Sequence, residues 1–159
     1  MSTVRSVRIV YYECEYIFTE RIQPMGEKND GASSSEFLRV AGLRLEEIGE
    51  RGVRGWISLG AEHHTPWGVV HGGVYAAAVE SAASIGASAA VEENGQFAVG
   101  VNNTTDFLRP MKEGRVEVIA EPIMQGKSQQ LWQVIISRSE DGKEVARGQV
   151  RLQNVPLPA

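Results

Sequence analysis

The chain has 159 residues, 42% of them hydrophobic and 23% charged, which supplies one core-bearing domain and leaves too little length for two. Sixteen Lys and Arg against twenty Asp and Glu give a net charge of -4, so a global basic grip on nucleic acid is disfavoured. A single cysteine, Cys14, excludes an intramolecular disulfide and a cysteine-based zinc cluster, and it fits a reducing, cytoplasmic compartment.

Residues 1–35 read as an N-terminal extension. Val7 to Phe18 is strand-like in content, yet Glu13 and Glu15 interrupt the apolar run that a signal peptide needs. Gln23-Pro24-Met25-Gly26 and the polar stretch after it have linker composition, and Met25 is a second candidate start. Ser35 to Ala41 predicts a short helix capped by Ser34 or Ser35. Leu43, Leu45 and Ile48 lead into a strand. Val53 to Gly60 places Val53, Gly55, Ile57 and Leu59 against Arg54, Trp56 and Ser58, the alternation of a half-buried strand.

A loop over 61–67 precedes a long helix from about Gly72 to Glu92. Between Val69 and Val91 only His71 and Glu80 titrate near or below neutral pH. Ala, Gly and Ser dominate this run, not Leu, Ile and Phe, so it predicts a helix buried in protein and no membrane span. Beyond Asn94-Gly95 the period becomes two. Phe97, Val99 and Val101 alternate with small residues toward Phe107, and Val116, Val118 and Ala120 alternate with Glu117, Ile119 and Glu121. Leu131 to Arg138 and Glu144 to Leu152 flank Glu140-Asp141-Gly142, a hairpin signal. The expectation is an α+β domain over residues 36–155, with a C-terminal tail over 156–159. One long helix packs across a sheet whose second half is a meander of four antiparallel strands.

The helix carries two chemical features. Its first N–H groups have no internal partner and carry partial positive charge, so His71-Gly72-Gly73 can present an oxyanion site. The alternative is that the paired glycines only let the helix start against a sheet. Glu80 is the second feature, the sole acid in the run, set among Ala76, Ala77, Ala78, Val79, Ala82 and Ala83. No Lys or Arg lies three or four residues away, so a structural ion pair on this helix is disfavoured, and burial would raise its pKa toward general-base duty. A salt bridge from elsewhere or a solvent-facing position stays open. Ser84 lies on the same helical face, within reach of the carboxylate.

Thr65-Pro66-Trp67-Gly68-Val69-Val70-His71-Gly72-Gly73, followed by Glu80-Ser81 and Ser84, resembles the hotdog-fold acyl-CoA thioesterases. More narrowly it resembles the phenylacetic-acid-operon-type branch, with the 4-hydroxybenzoyl-CoA and 1,4-dihydroxy-2-naphthoyl-CoA thioesterases that use a Glu on the central helix. The resemblance runs from about Phe37 to Asn154 and includes Val99-Gly100-Val101-Asn102, Glu113-Gly114-Arg115-Val116 and Gln130-Leu131-Trp132-Gln133. It implies Glu80 as the catalytic carboxylate, Gly72 as the backbone donor to the thioester carbonyl, His71 as the histidine beside it, and Ser84 as an assisting hydroxyl. Thr65 stands where these enzymes commonly carry Gln or Asn, so water positioning or substrate choice is expected to differ; His64 next to it is a possible substitute.

Gly72 and Glu80 are eight residues apart, roughly 12 Å along a helix, so one thioester carbon cannot meet both within a chain. If both act, they come from different subunits, which agrees with the hotdog dimer that the resemblance implies and with its dimer-of-dimers homotetramer. Arg109, Lys112, Lys127 and Ser128 are candidates for the CoA phosphates, with solvated turns as the alternative. Three His at unsuitable spacings give no metal signature, and no cofactor is expected. The expected activity is hydrolysis of an aromatic or bulky acyl-CoA. Alternatives are a non-catalytic acyl-CoA-binding module and a medium- or long-chain fatty acyl-CoA thioesterase. A dehydratase of the same fold lacks its usual His/Asp pair here.

Overall fold

The computed structural model describes residues 36–157; the Val7 to Phe18 segment and the linker after it lie outside the described residues. In chain order the elements are α1 (Glu36–Ala41), β1 (Leu43–Gly49), β2 (Gly52–Leu59), α2 (Gly72–Ala89), β3 (Gln96–Phe107), β4 (Gly114–Gln125), β5 (Gln129–Arg138) and β6 (Glu144–Pro156). The strands form one six-stranded antiparallel sheet, ordered β1-β2-β4-β5-β6-β3, and α2 touches all six. This is the expected α+β hotdog architecture.

The alternation predicted for β2 holds: Val53, Ile57 and Leu59 are buried, while Arg54 and Ser58 are exposed. Val116, Val118 and Ala120 of β4, Trp132, Val134 and Ile136 of β5, and Val150 and Leu152 of β6 continue the same buried layer. Against it α2 lays Tyr75, Ala78, Val79, Ala82, Ala83, Gly86 and Ala87. Small residues on the helix let it sit low on the sheet. A methyl group added at Gly86 would come within 2.6 Å of the Trp132 ring.

The strands of the second half pair differently from a four-strand meander. β4, β5 and β6 are consecutive neighbours, but β3 lies at the far edge beside β6. β4 is hydrogen-bonded to β2 on one side and to β5 on the other, which leaves β3 no place next to it. Turn signals mark where strands end without saying which strand they join. The facing of β3 differs too. Ala98 is its buried residue, while Val101 is 54% exposed. A bulge between Gly100 and Asn102 shifts the register, so Asn103, not its neighbours, reaches α2. The helix also stops earlier than Glu92, at Ala89, where Val91 and a short 3-10 turn lead to Gly95 in the left-handed region. The Glu140-Asp141-Gly142 hairpin is as expected, with Gly142 at φ 69° and Arg138 N–H donating to the Lys143 carbonyl.

A buried polar cluster ties the C-terminal end of α2 to the sheet. Trp132 Nε1 donates to Gln130 Oε1 at 3.0 Å, and Gln130 Nε2 donates to the Ala87 carbonyl at 2.8 Å and to Asn154 Oδ1 at 2.9 Å. Asn154 Nδ2 donates in turn to the Gly126 and Lys127 carbonyls, so the β4–β5 turn is fixed to the same cluster. Each group is satisfied, which is the condition for burying it without a large desolvation penalty.

Candidate active site

The chain enters α2 through a tight loop. Thr65 N–H donates to the Val69 carbonyl and Gly68 N–H to that of Thr65, with Gly68 at φ 72° closing the turn. His64 Nε2 lies 2.6 Å from the Lys112 carbonyl, Val70 N–H donates to that of Met111, and His71 N–H to that of His63. These bonds anchor the start of the helix to the β3–β4 connection.

His71 is the N-cap. Its Nδ1 accepts the Gly73 N–H at 2.8 Å, which leaves the ring proton on Nε2 and the ring exposed. A side chain at Gly73 would collide with that nitrogen, at 2.8 Å from its Cβ. The cap consumes the Gly73 donor and leaves the Gly72 N–H without a partner among the described residues. Thus His71 shapes the helix terminus, and Gly72 offers the free donor.

Glu80 lies two turns further along, half-buried rather than enclosed. Its Oε1 accepts from the Ser84 hydroxyl at 3.3 Å, and its Oε2 accepts from Asn103 Nδ2 at 3.0 Å. Asn103 also donates to the Ala76 carbonyl at 3.1 Å and accepts from the Thr105 hydroxyl at 2.7 Å, so its amide is fixed on both sides. Gly100 makes the remaining room: a Cβ there would overlap Glu80 Oε1. The carboxylate is therefore oriented by neutral donors and has no Lys or Arg ion-pair partner among the described residues. Two neutral hydrogen bonds hold it in place and leave lone pairs for a water.

The thioesterase superfamily model matches residues 68–145, a span that holds Gly72, Glu80, Ser84, Gly100 and Asn103. The esterase-named protein Rv1847 of Mycobacterium tuberculosis is 47% identical over 116 residues, which cover 72% of this chain and 82% of that one. The chain belongs to the thioesterase superfamily. The solved structure of the Mycobacterium tuberculosis protein superposes with a TM-score of 0.74 at 44% identity, over 77% of this chain and 98% of that one. The Haemophilus influenzae thioesterase HI1161 superposes with a TM-score of 0.71 at 29% identity, over 77% and 85% of the two chains.

The other candidates in this thioesterase divide. Thr65 sits in the loop next to the helix start, with its Oγ1 buried and without a partner among the described residues. His64 is committed to the Lys112 carbonyl, which makes it a loop staple. Arg109 Nη1 donates to the Glu144 carbonyl. Lys112 lines a surface cleft of about 490 Å³ together with Arg115, Arg138 and Ser139. In that cleft Arg115 is occupied by Glu117 at 2.9 Å and by the Trp56 ring at 4.4 Å, and Arg138 by Asp141 at 2.8 Å. Lys127 and Ser128 lie beyond the opposite end of β4, roughly 40 Å from Lys112 for a strand of that length. The four proposed phosphate contacts therefore do not converge within one chain.

Sequence reasoning missed Asn103 and the role of Gly100. Both lie in or next to the Val99-Gly100-Val101-Asn102 stretch, and the polar run from Asn102 to Asp106, in a strand otherwise read as apolar, was the available signal.

Proposed function

We propose that this thioesterase hydrolyses an acyl-CoA to the free acid and CoA, and that it is closest in chemistry to the branch with a catalytic Glu on the central helix. Glu80 removes a proton from water as that water attacks the thioester carbonyl, or attacks the carbonyl itself to form a mixed anhydride that water then cleaves. The Gly72 N–H accommodates the oxyanion, and CoA leaves as the thiolate. The observation that carries this reading is the oriented carboxylate: the one acid of α2, held by Ser84 and Asn103 and without a Lys or Arg ion-pair partner among the described residues.

Because Gly72 and Glu80 are roughly 12 Å apart along α2, this reading takes Glu80 from one subunit and Gly72 from the other. Two features support such a pairing. β3 is an edge strand of twelve residues, long enough to join a second copy's β3, and it carries the exposed Val101. The α2 residues beside it, Ala76, Ala77, Ser81 and Ser84, are small and only half-buried, so a second α2 can approach closely.

The test is a panel of aromatic and straight-chain acyl-CoAs assayed by release of free thiol. Turnover of one or more members is expected. Tight binding with no turnover of any member would contradict hydrolysis and favour an acyl-CoA-binding module.

A further inference from the structure

Phe107 occupies an unusual place beside the free donor of α2. It is the last residue of β3 and remains 58% exposed. The tip of its ring rests directly on Gly72: a Cβ at that glycine would lie 2.9 Å from ring atoms Cε2 and Cζ and 3.2 Å from Cε1. Behind it stands Tyr75, one turn into the helix and only 3% exposed, with ring centroids 6.4 Å apart and planes inclined by 38°. The ring is thus clamped on two sides by the first turn of α2 and open on the remainder.

A carbonyl oxygen accepting the Gly72 N–H lies about 3 Å from that nitrogen. The carbon attached to that carbonyl is then two bonds from the oxygen, within reach of any surface that flanks Gly72. Phe107 is that surface. An exposed aromatic ring next to a backbone donor excludes water from the donor and offers a flat, quadrupolar face to whatever is attached to the carbonyl. A second ring gains from offset or edge-to-face contact there, about 0.5–1.5 kcal/mol beyond its area burial, which a flexible alkyl chain does not.

We propose that Phe107, backed by Tyr75, is a specificity-determining residue that favours acyl groups with an aromatic ring close to the thioester carbonyl. This rests on the thioesterase reading of Gly72 and narrows its substrate class.

The experiment compares kcat/KM for benzoyl-CoA and hexanoyl-CoA in the wild type, Phe107→Leu and Phe107→Tyr, with thermal melts and solution masses for all three. The wild type should prefer benzoyl-CoA. Phe107→Leu should lower the benzoyl-to-hexanoyl ratio by about 2- to 13-fold, the contact energy above converted to a rate ratio. Phe107→Tyr, which keeps the ring, should retain the preference. A ratio unmoved by Phe107→Leu, equal losses on both substrates, a wild-type preference for hexanoyl-CoA, or a Phe107→Leu protein of reduced solution mass would each overturn the proposal. The last would make Phe107 an interface contact. If the wild type cleaves neither thioester, the hydrolase reading itself fails, a result distinct from an unchanged ratio.

Discussion

Replacing Glu80 with Gln is expected to reduce acyl-CoA turnover by at least ~100-fold while leaving the fold and its melting temperature nearly unchanged. The substitution preserves shape. The amide oxygen still accepts from Asn103 Nδ2, and the amide nitrogen can donate to the Ser84 hydroxyl, so both contacts of the native carboxylate keep a counterpart. It removes the ability to take a proton from water or to attack a carbonyl as a carboxylate. Steady-state thiol release on the best substrate of the panel measures the first effect, and a thermal melt measures the second. A Glu80→Gln protein with native turnover would remove the carboxylate from the mechanism. Loss of turnover together with loss of folding would make Glu80 a structural residue.

The largest expected effect on stability comes from Trp132→Ala, about 3–5 kcal/mol for a large buried aromatic side chain. Trp132 is fully buried in the layer between β5 and α2. Its ring fills the space opposite Gly86, and the glycine cannot supply the lost volume, so a cavity is left under the helix. The change also removes a donor from Gln130 Oε1, which stays buried between the helix end and Asn154. For a domain of this size the melting temperature should fall by roughly 10 °C or more. Denaturant or thermal unfolding of the oligomer at fixed protein concentration checks it. A drop of less than about 1 kcal/mol would show that α2 closes onto the sheet without the indole.

Much of this arrangement is legible in the chain. The period-two stretches of β2 and β4 bury the residues that their alternation predicts, because each strand has one face on α2 and the other away from it. The absence of acids around Glu80 marks it from sequence alone, and the Gly-Gly after His71 marks the helix start. β3 was not legible. Its apolar residues suggest one facing, but proximity to α2 demands small side chains at Ala98 and Gly100, and the bulge then turns Asn103 toward Glu80. Its pairing with β6 is a contact between residues some fifty positions apart in sequence, which local turn signals cannot specify. His71 was legible as a neighbour of the donor but not as the cap that frees it. That role depends on the side chain folding back onto Gly73. The phosphate candidates failed to converge for a related reason: Lys112 and Lys127 flank the same strand, so a full strand length separates them.

The claim on which the account turns is that Glu80 and Gly72 act from different chains, and complementation measures it most directly. Glu80→Ala and Gly72→Pro are each expected to be inactive, the second because proline has no N–H at the oxyanion position. Proline is tolerated in the first turn of a helix, and the Phe107 ring tip beside Gly72 is a side chain that can yield, so the variant is expected to fold and assemble; far-UV circular dichroism and solution mass verify this before mixing. When the two inactive proteins are unfolded together and refolded, half of the dimers should be mixed. In a mixed dimer both lesions fall in one site, and the other site is wholly native. Activity should return to about a quarter of the wild-type value. Verified mixed dimers that remain inactive would contradict a site shared between chains.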